Sequence, residues 1–279
     1  MTDPVRLACG VPTQARYRDL LESPDFKDLE TFSRGFLLRN RAALKGYSRR
    51  WSSDPLHHWS RQWEYPFVLQ WLDWALHAAS QGEARILDAG SGVTFFPYFL
   101  ADRFPKAELV CLDMDRRLEF AHARIVEPSR GRVCFRTGGI QSMAEGDGAF
   151  DSVYCISVLE HTEDHERVIR EFRRVLKPGG LLVVTFDISL DGEARVPVDV
   201  AESLLALLKF HFEPCEPCPG ARESLSDDVV TTAFIRDSGL ATRPWRHPWM
   251  SAMRDLLRGR RPRRLFKDLT FYCAAFRRV

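Results

Sequence analysis

The stretch Ile86-Leu87-Asp88-Ala89-Gly90-Ser91-Gly92-Val93-Thr94 decides how the rest of this chain is read. An apolar run ends in an acid, enters a glycine turn and continues into a segment of helical character. Further on, Cys111-Leu112-Asp113-Met114-Asp115 ends a second apolar run in carboxylates. Two strand-like runs that finish in a glycine turn and in acids describe the carboxyl end of an open α/β sheet, where ligands bind at the reversal of strand order.

Each residue of this pattern has a chemical reason. Gly90 and Gly92 permit a sharp turn and a close approach of backbone to ligand. Asp88 is placed to accept hydrogen bonds from the turn amides or from a ligand's ammonium group. Asp113 suits both hydroxyls of a ribose, because a carboxylate accepts from a free diol and repels a phosphate. Met114 or Leu112 beside it offers an apolar face for adenine. The expected occupant is an adenosine-containing cofactor. Phe95 stands where a pyrophosphate-binding turn has its third glycine, and no Gly-Lys-Ser/Thr follows. Both departures argue against NAD and ATP and for a cofactor without a pyrophosphate.

Outward from this core, strand and helix alternate. Strands are predicted at Ala84–Asp88, Glu108–Asp113, Arg132–Arg136, Phe150–Ile156 and Leu181–Phe186, the last apolar throughout and hence buried on both faces. Helices are predicted at Phe95–Phe104, Asp115–Val126 and Glu163–Leu176, the third stopped by Lys177-Pro178-Gly179-Gly180. The alternation predicts an α/β fold with a doubly wound, mostly parallel sheet. Beyond it, a helix is expected over Asp199–Phe212, a connector over His211–Arg222, a helix capped by Ser226 and ending at Gly239, a sixth strand at Leu240–Trp245, a helix at Pro248–Arg258 and a last strand at Leu269–Phe276.

Residues 1–80 hold no strand pattern and are expected to form an N-terminal helical cap, with residues 81–279 as the cofactor-binding domain. Helices are predicted over Thr13–Glu22, Asp25–Gly46 and from Pro55 to about Ser80, the last kinked at Pro66. That last helix is dense in aromatics, which pack the cap onto the sheet. Composition sets broad limits: a net charge of +2 gives no push toward nucleic acid or membranes, and no apolar run is long enough to cross a bilayer. The N-terminus lacks the apolar core of a signal peptide, so a cytoplasmic location is expected. Seven cysteines, several in apolar runs, act as small hydrophobes.

At this point the chain resembles the class I S-adenosylmethionine-dependent methyltransferases, whose fold is Rossmann-like. The resemblance rests on Ile86–Gly92, Val110–Met114, Phe150–Cys155, Val158-Leu159-Glu160-His161 and Val175–Val183, in this order and spacing, and covers residues 83–186 well. It implies S-adenosylmethionine as cofactor. By position, Asp88, Gly90, Ser91 and Gly92 would hold the methionine moiety, and Asp113 and Met114 the ribose and adenine. Ile156 and Ser157 would lie beneath the reacting centre with His161 nearby. Thr94 stands where the family often has a third glycine. Gly139 and Ile140 stand where an acid usually faces the adenine amine, so backbone groups would read adenine there.

Two residues are candidates for chemistry. Tyr65, just before Pro66, either stacks on the sulfonium through a cation–π contact or packs the core. His161 is either a general base or a structural histidine shaping the loop after the fourth strand. Asp187 either contacts an acceptor's amine or caps a loop. Glu160, Glu163, Asp164 and Glu166 read as charge at a helix N-terminus. Cys215 and Cys218, near His211, lack the second ligand pair of a zinc site, so no metal is expected. The basic run Arg258–Arg264 reads as a solvated turn, and nucleic acid is not the expected partner.

The expected reaction is methyl transfer to a small-molecule acceptor in secondary metabolism. The alternative keeps the cofactor and changes the bond: its own amine closes a ring, giving azetidine-2-carboxylate and methylthioadenosine, as in azetidine-2-carboxylate synthases, which resemble methyltransferases.

Overall fold

The computed structural model describes residues 6–48, 54–78, 83–238, 240, 256–257 and 268–279. Its centre is a seven-stranded sheet: β1 (Ala84–Ala89), β2 (Ala107–Asp113), β3 (Val133–Thr137), β4 (Phe150–Ile156), β5 (Leu176–Ser189), β6 (Glu213–Pro214) and β7 (Leu269–Arg277). The spatial order is β3-β2-β1-β4-β5-β7-β6. β1 to β5 pair in parallel, and β7 runs antiparallel to β5 and β6. Strand order reverses between β1 and β4, where Asp88 stands level with Cys111 on one side and Tyr154 on the other. The sheet is Rossmann-like and mostly parallel, and its carboxyl edge at this reversal carries the site.

The helices are α1 (Gln14–Glu22), α2 (Pro24–Arg39), α3 (Arg41–Ser48), α4 (Arg61–Ala78), α5 (Phe96–Arg103), α6 (Leu118–Ala123), α7 (His165–Val175), α8 (Val198–His211) and α9 (Thr232–Asp237). Local chemistry sets their starts. Ser23 caps α2 through the Phe26 amide with Pro24 in the first turn, and Asp164 caps α7 through the Arg167 amide. Helix α7 buries Val168, Ile169, Phe172 and Val175 against the sheet and turns its charged residues outward.

Several expectations are corrected. The single helix over Asp25–Gly46 is two, broken at Asn40. The Asn40 amide donates to Glu127 Oε1 at 2.7 Å, and its oxygen accepts from the Val126 amide at 2.7 Å. Arg39 grips the same buried Glu127 with bonds of 3.0 and 2.8 Å. These long-range bonds hold the chain at the break and re-aim α3 over the glycine turn. The helix expected from Pro55 begins only at Arg61 and carries Pro66 inside it. Lys177-Pro178-Gly179-Gly180 is extended chain within β5, not a loop before it, because the Gly179 amide donates to the Arg278 carbonyl at 2.7 Å. The strand expected at Leu240–Trp245, the helix at Pro248–Arg258 and the basic run Arg258–Arg264 lie outside the described residues, apart from Leu240 and residues 256–257.

Candidate cofactor and reaction site

The glycine turn leaves β1 with Gly90 at φ +83° and Gly92 at φ +55°, conformations that L side chains rarely adopt. A Cβ at Gly90 would stand 2.4 Å from Val158 Cγ2, and one at Gly92 would stand 2.6 Å from the Tyr47 hydroxyl. The turn is fixed from below by the Gly90 and Ser91 amides, which donate to the Leu112 carbonyl at 2.8 and 3.0 Å. It is fixed from the side by His122, whose Nε2 lies 2.9 Å from the Gly92 carbonyl and whose Nδ1 lies 3.2 Å from the Tyr98 hydroxyl. Burial pushes the His122 imidazole down to about 4, so it is neutral here, with Nε2–H donating and Nδ1 accepting.

The Gly90 and Ser91 amides thus go to Leu112 rather than to Asp88. Asp88 is 5% exposed and lies near the Tyr154 hydroxyl. Burial, with the nearby Asp113 charge, pushes its carboxyl up to about 7, although the Tyr154 hydroxyl works the other way. Asp113 accepts from the Gly92 amide at 3.0 Å and the Asp115 amide at 2.9 Å, leaving a further lone pair on each oxygen. Of the two adenine candidates, Met114 is 82% exposed and Leu112 is buried, so only Met114 offers its side chain outside the core. Gly139 lies in the next loop with its carbonyl taken by the Ser142 amide at 3.2 Å, and Ile140 is buried beside it.

Helix α4 packs on β4, β5 and β7, and its first turn, beside the carboxyl ends of β4 and β5, adds a polar lattice that sequence reading missed. Glu64 is fully buried. Its Oε1 accepts from Ser157 Oγ at 2.7 Å and from Thr185 Oγ1 at 2.5 Å, and its Oε2 accepts from Arg61. Arg61 also donates to Ser157 Oγ at 2.6 Å. Burial alone would raise the Glu64 carboxyl, but Arg61 and the surrounding hydroxyls outweigh it and hold the group below the usual carboxylate range. Ser157 reaches this position because it leaves β4 at φ +47°, the sole left-handed non-glycine among the described residues. Ile156, half-buried, ends the strand beside it.

Tyr65, the next residue on α4, is buried against Phe95 and Phe96, with ring centroids 5.2 and 4.6 Å away. Its hydroxyl bonds the Thr94 side chain at the end of the glycine turn. Tyr47, from α3, bonds the Val93 backbone. Aromatic side chains from α3, α4 and the start of α5 therefore close over the turn. Tyr47 was legible only as one apolar position in a helical stripe; nothing in that spacing marks it as a pocket residue.

The loop after β4 is a further correction. Glu160 is not surface charge at a helix start: it is 6% exposed and turned toward Glu64, Arg61 and Asp187. His161, one residue on, has an exposed side chain, so the structure does not bring it into the cluster. Among the described residues no group of three or more His, Cys, Asp or Glu side chains could hold a metal ion. No described helix is long and apolar enough to cross a membrane.

The residues fit S-adenosylmethionine. A backbone cradle with no room for a Cβ, an acid for the ribose diol and the buried Asp88 near the turn match its parts. The methyltransferase domain family matches residues 87–184. A ubiquinone biosynthesis O-methyltransferase of Xanthomonas oryzae pv. oryzae is 29% identical over 215 residues, covering 72% of this chain and 82% of the relative. The first two curated relatives are matched over only 30% and 48% of their own lengths. Geranyl diphosphate methyltransferase in complex with S-adenosylmethionine shares the fold at 15% identity and a TM-score of 0.54, covering 97% of this chain and 98% of that one. The cyclase SpnF does so at 21% identity and a TM-score of 0.52, covering 97% and 99%. Over residues 87–184 the chain carries a methyltransferase domain, and S-adenosylmethionine is the cofactor that domain implies.

Proposed function

We propose that the protein transfers a methyl group to a small-molecule acceptor in secondary metabolism, with residues 1–80 as a cap over the cofactor domain of residues 81–279. The observation that carries the small-molecule reading is the seal over the strand ends. Glu64 and Tyr65, on α4, are buried against the strand ends, which leaves no open groove for a macromolecular acceptor at that point. In this reading Asp88, Gly90, Ser91 and Gly92 hold the methionine moiety. Asp113 and Met114 hold the ribose and adenine, with Gly139 and Ile140 flanking the adenine amine. The bound cofactor supplies a methyl group already activated by its sulfonium. The protein's part is to align the acceptor and exclude water. Tyr65, braced on Phe95 and Phe96, positions the methionine end of the pocket. The exposed His161 side chain supports its structural role over a catalytic one.

A second reading has one observation in its favour. The aromatic closure by Tyr47, Tyr65, Phe95 and Phe96 is tight enough to suit a reaction of the cofactor alone, its amine closing a four-membered ring. The likeness to the cyclase SpnF supports the point that this fold is compatible with ring-forming chemistry. Incubating the purified protein with S-adenosylmethionine separates the two. The expected result is no turnover alone and S-adenosylhomocysteine once a small-molecule extract is added. Methylthioadenosine formed without any acceptor overturns the first reading in favour of the second.

A further inference from the structure

The cysteines of this chain are not alike. Cys111, Cys155 and Cys273 are fully buried in β2, β4 and β7, where burial pushes each thiol well above its ordinary range. Such thiols are inert packing groups. Cys215 and Cys218 form the Cys-x-x-Cys of the sequence, and no described cluster could hold a metal there. Burial pushes the Cys215 thiol up to about 11, and its amide is tied to the Ala275 carbonyl at 3.0 Å. Cys218 differs from all of these, and its partner is not Cys215.

The partner comes from the other end of the chain. Residues 7–13 run as a strap along the part of β7 that β6 leaves uncovered. The Gly10 amide donates to the Cys273 carbonyl at 2.8 Å, and the Cys273 amide donates to the Gly10 carbonyl at 3.0 Å. This pairing lays Cys9 and Gly10 against the connector that follows β6. The Cys9 amide donates to Glu216 Oε1 at 2.7 Å, and a Cβ at Gly10 would stand 3.3 Å from Pro219 Cγ. With residue 9 held by 216 and residue 10 facing 219, Cys218 lies opposite the strap, and the Cys9 and Cys218 thiols come together.

One thiol of the pair is reactive and the other is placed to resolve it. Cys218 is half-buried and Cys9 is 7% exposed, so an oxidant reaches Cys218 first. The Cys9 thiol is the main reason that the Cys218 thiol lies below its ordinary range. The Tyr272 hydroxyl and the Lys209 charge act the same way and together outweigh burial. The same contact, with burial behind it, holds the Cys9 thiol far above. Tyr272 Oη lies 3.3 Å from Cys218 Sγ, and Lys209 Nζ donates to the Cys218 carbonyl at 2.7 Å. The single Tyr272 proton also reaches the Pro219 carbonyl, and it turns to the sulfur when Cys218 ionises. A thiolate flanked by donors and by a second thiol is the arrangement of a redox-sensitive cysteine.

We propose that Cys9 and Cys218 form a reversible disulfide, closed by a peroxide, that fastens the N-terminal strap to the connector after β6. The Cys218 thiolate attacks one peroxide oxygen. An S–O bond forms, the O–O bond breaks, and the hydroxide that leaves takes up the proton Cys218 had lost, giving water. The Cys9 thiol then attacks the oxidised sulfur. The S–S bond forms, the S–O bond breaks, and the hydroxyl leaves with the Cys9 proton as a second water. The two thiols together lose two electrons, and the peroxide gains them. The bond acts on the cap, because Leu7 exchanges hydrogen bonds of 2.8 and 2.9 Å with the Gln70 side chain of α4, the helix that carries Glu64 and Tyr65. It also closes a very long loop, which removes freedom from the unfolded chain.

The test uses the full chain, first reduced and then treated with hydrogen peroxide, with free thiols alkylated before peptide mapping. The expected product is lower in mass by two hydrogens, joins the Cys9 and Cys218 peptides, and reverts with dithiothreitol. Its thermal midpoint should rise by about 5 °C or more and fall back on reduction. Cys215→Ser should keep the bond, and Cys9→Ser and Cys218→Ser should each abolish it. A bond between Cys215 and Cys218, sulfinic acid at Cys218 with Cys9 still free, or no bond at all overturns the proposal. A Cys9–Cys218 bond that leaves the midpoint unchanged overturns the fastening. Mapping on the wild type decides the pairing even where a variant fails to fold. None of these readouts passes through the reaction, so their failure leaves the methyl-transfer reading intact.

Discussion

The two sides of the crevice are built in opposite ways. On the β1–β2 side, a short glycine turn is held by backbone bonds to Leu112 and by Asp113, so its conformation is set by local sequence and one neighbouring strand. On the β4–β5 side, Glu64 reaches Ser157 across 93 positions of the chain and Thr185 across 121. The first side uses backbone amides and glycines without a Cβ to admit a ligand. The second concentrates buried charge from α4 and two strands. The contrast teaches that the glycine turn is a local property here, whereas the buried charge at β4 and β5 is a tertiary one.

The largest effect should come from the charged side. Glu64→Ala leaves the Arg61 guanidinium buried without its carboxylate and two hydroxyls without an acceptor. A loss of about 3–5 kcal/mol in urea unfolding is expected. The double variant Arg61→Met/Glu64→Leu should cost less than the sum of its single changes, since neither charge is then stranded. A loss under about 1 kcal/mol for Glu64→Ala would mean that the lattice is solvated and the contrast false.

On the local side, Gly92→Ala should act on binding more than on folding. The φ of +55° and the 2.6 Å approach of the Tyr47 hydroxyl both oppose a Cβ. A stability loss of about 1–2 kcal/mol is expected, with cofactor affinity down by about tenfold or more. Adding Tyr47→Ala should relieve the contact and leave the backbone strain, so recovery is partial. Full recovery would show that contact alone governs the turn.

The smallest and most diagnostic effect is in pH. Asp88 is raised to about 7, so the folded state favours its protonated form. Its contribution to stability is therefore complete below the ordinary Asp range and is lost as pH rises through about 7. Affinity for a cationic cofactor should move the other way and strengthen over the same rise, as the carboxylate ionises. His122 is lowered to about 4, so its contribution is present above the ordinary His range and lost as pH falls toward 4. Titrating cofactor affinity in wild type and Asp88→Asn checks the first. If both rise alike across neutrality, Asp88 is not the group responsible.

How much was legible follows from the same contrast. The strand–turn–helix pattern around Gly90, the acid at Asp113 and the positions of the parallel strands along the chain could be read because each is a local run with its own periodicity. Arg61 and Glu64 lay inside an aromatic helix pattern and read as ordinary polar positions on it. Glu160 read as surface charge because it sits among Glu163, Asp164 and Glu166, and those neighbours do have exposed side chains. The break at Asn40 was invisible because the apolar spacing runs through it. Its cause is a bond to Glu127, on the far side of β1 and β2 in sequence.

By itself the sequence determined the sheet, the glycine turn and the kind of cofactor, because strand periodicity, positive φ and a carboxylate for a free diol are properties of short segments. Tertiary structure alone decided which charges share a buried space. In this protein that means Arg61, Glu64, Glu160 and Asp187 in one cluster, and a Glu160 oxygen with no hydrogen-bond partner among the described residues, for burial and Coulomb interaction depend on distances that only the folded chain defines.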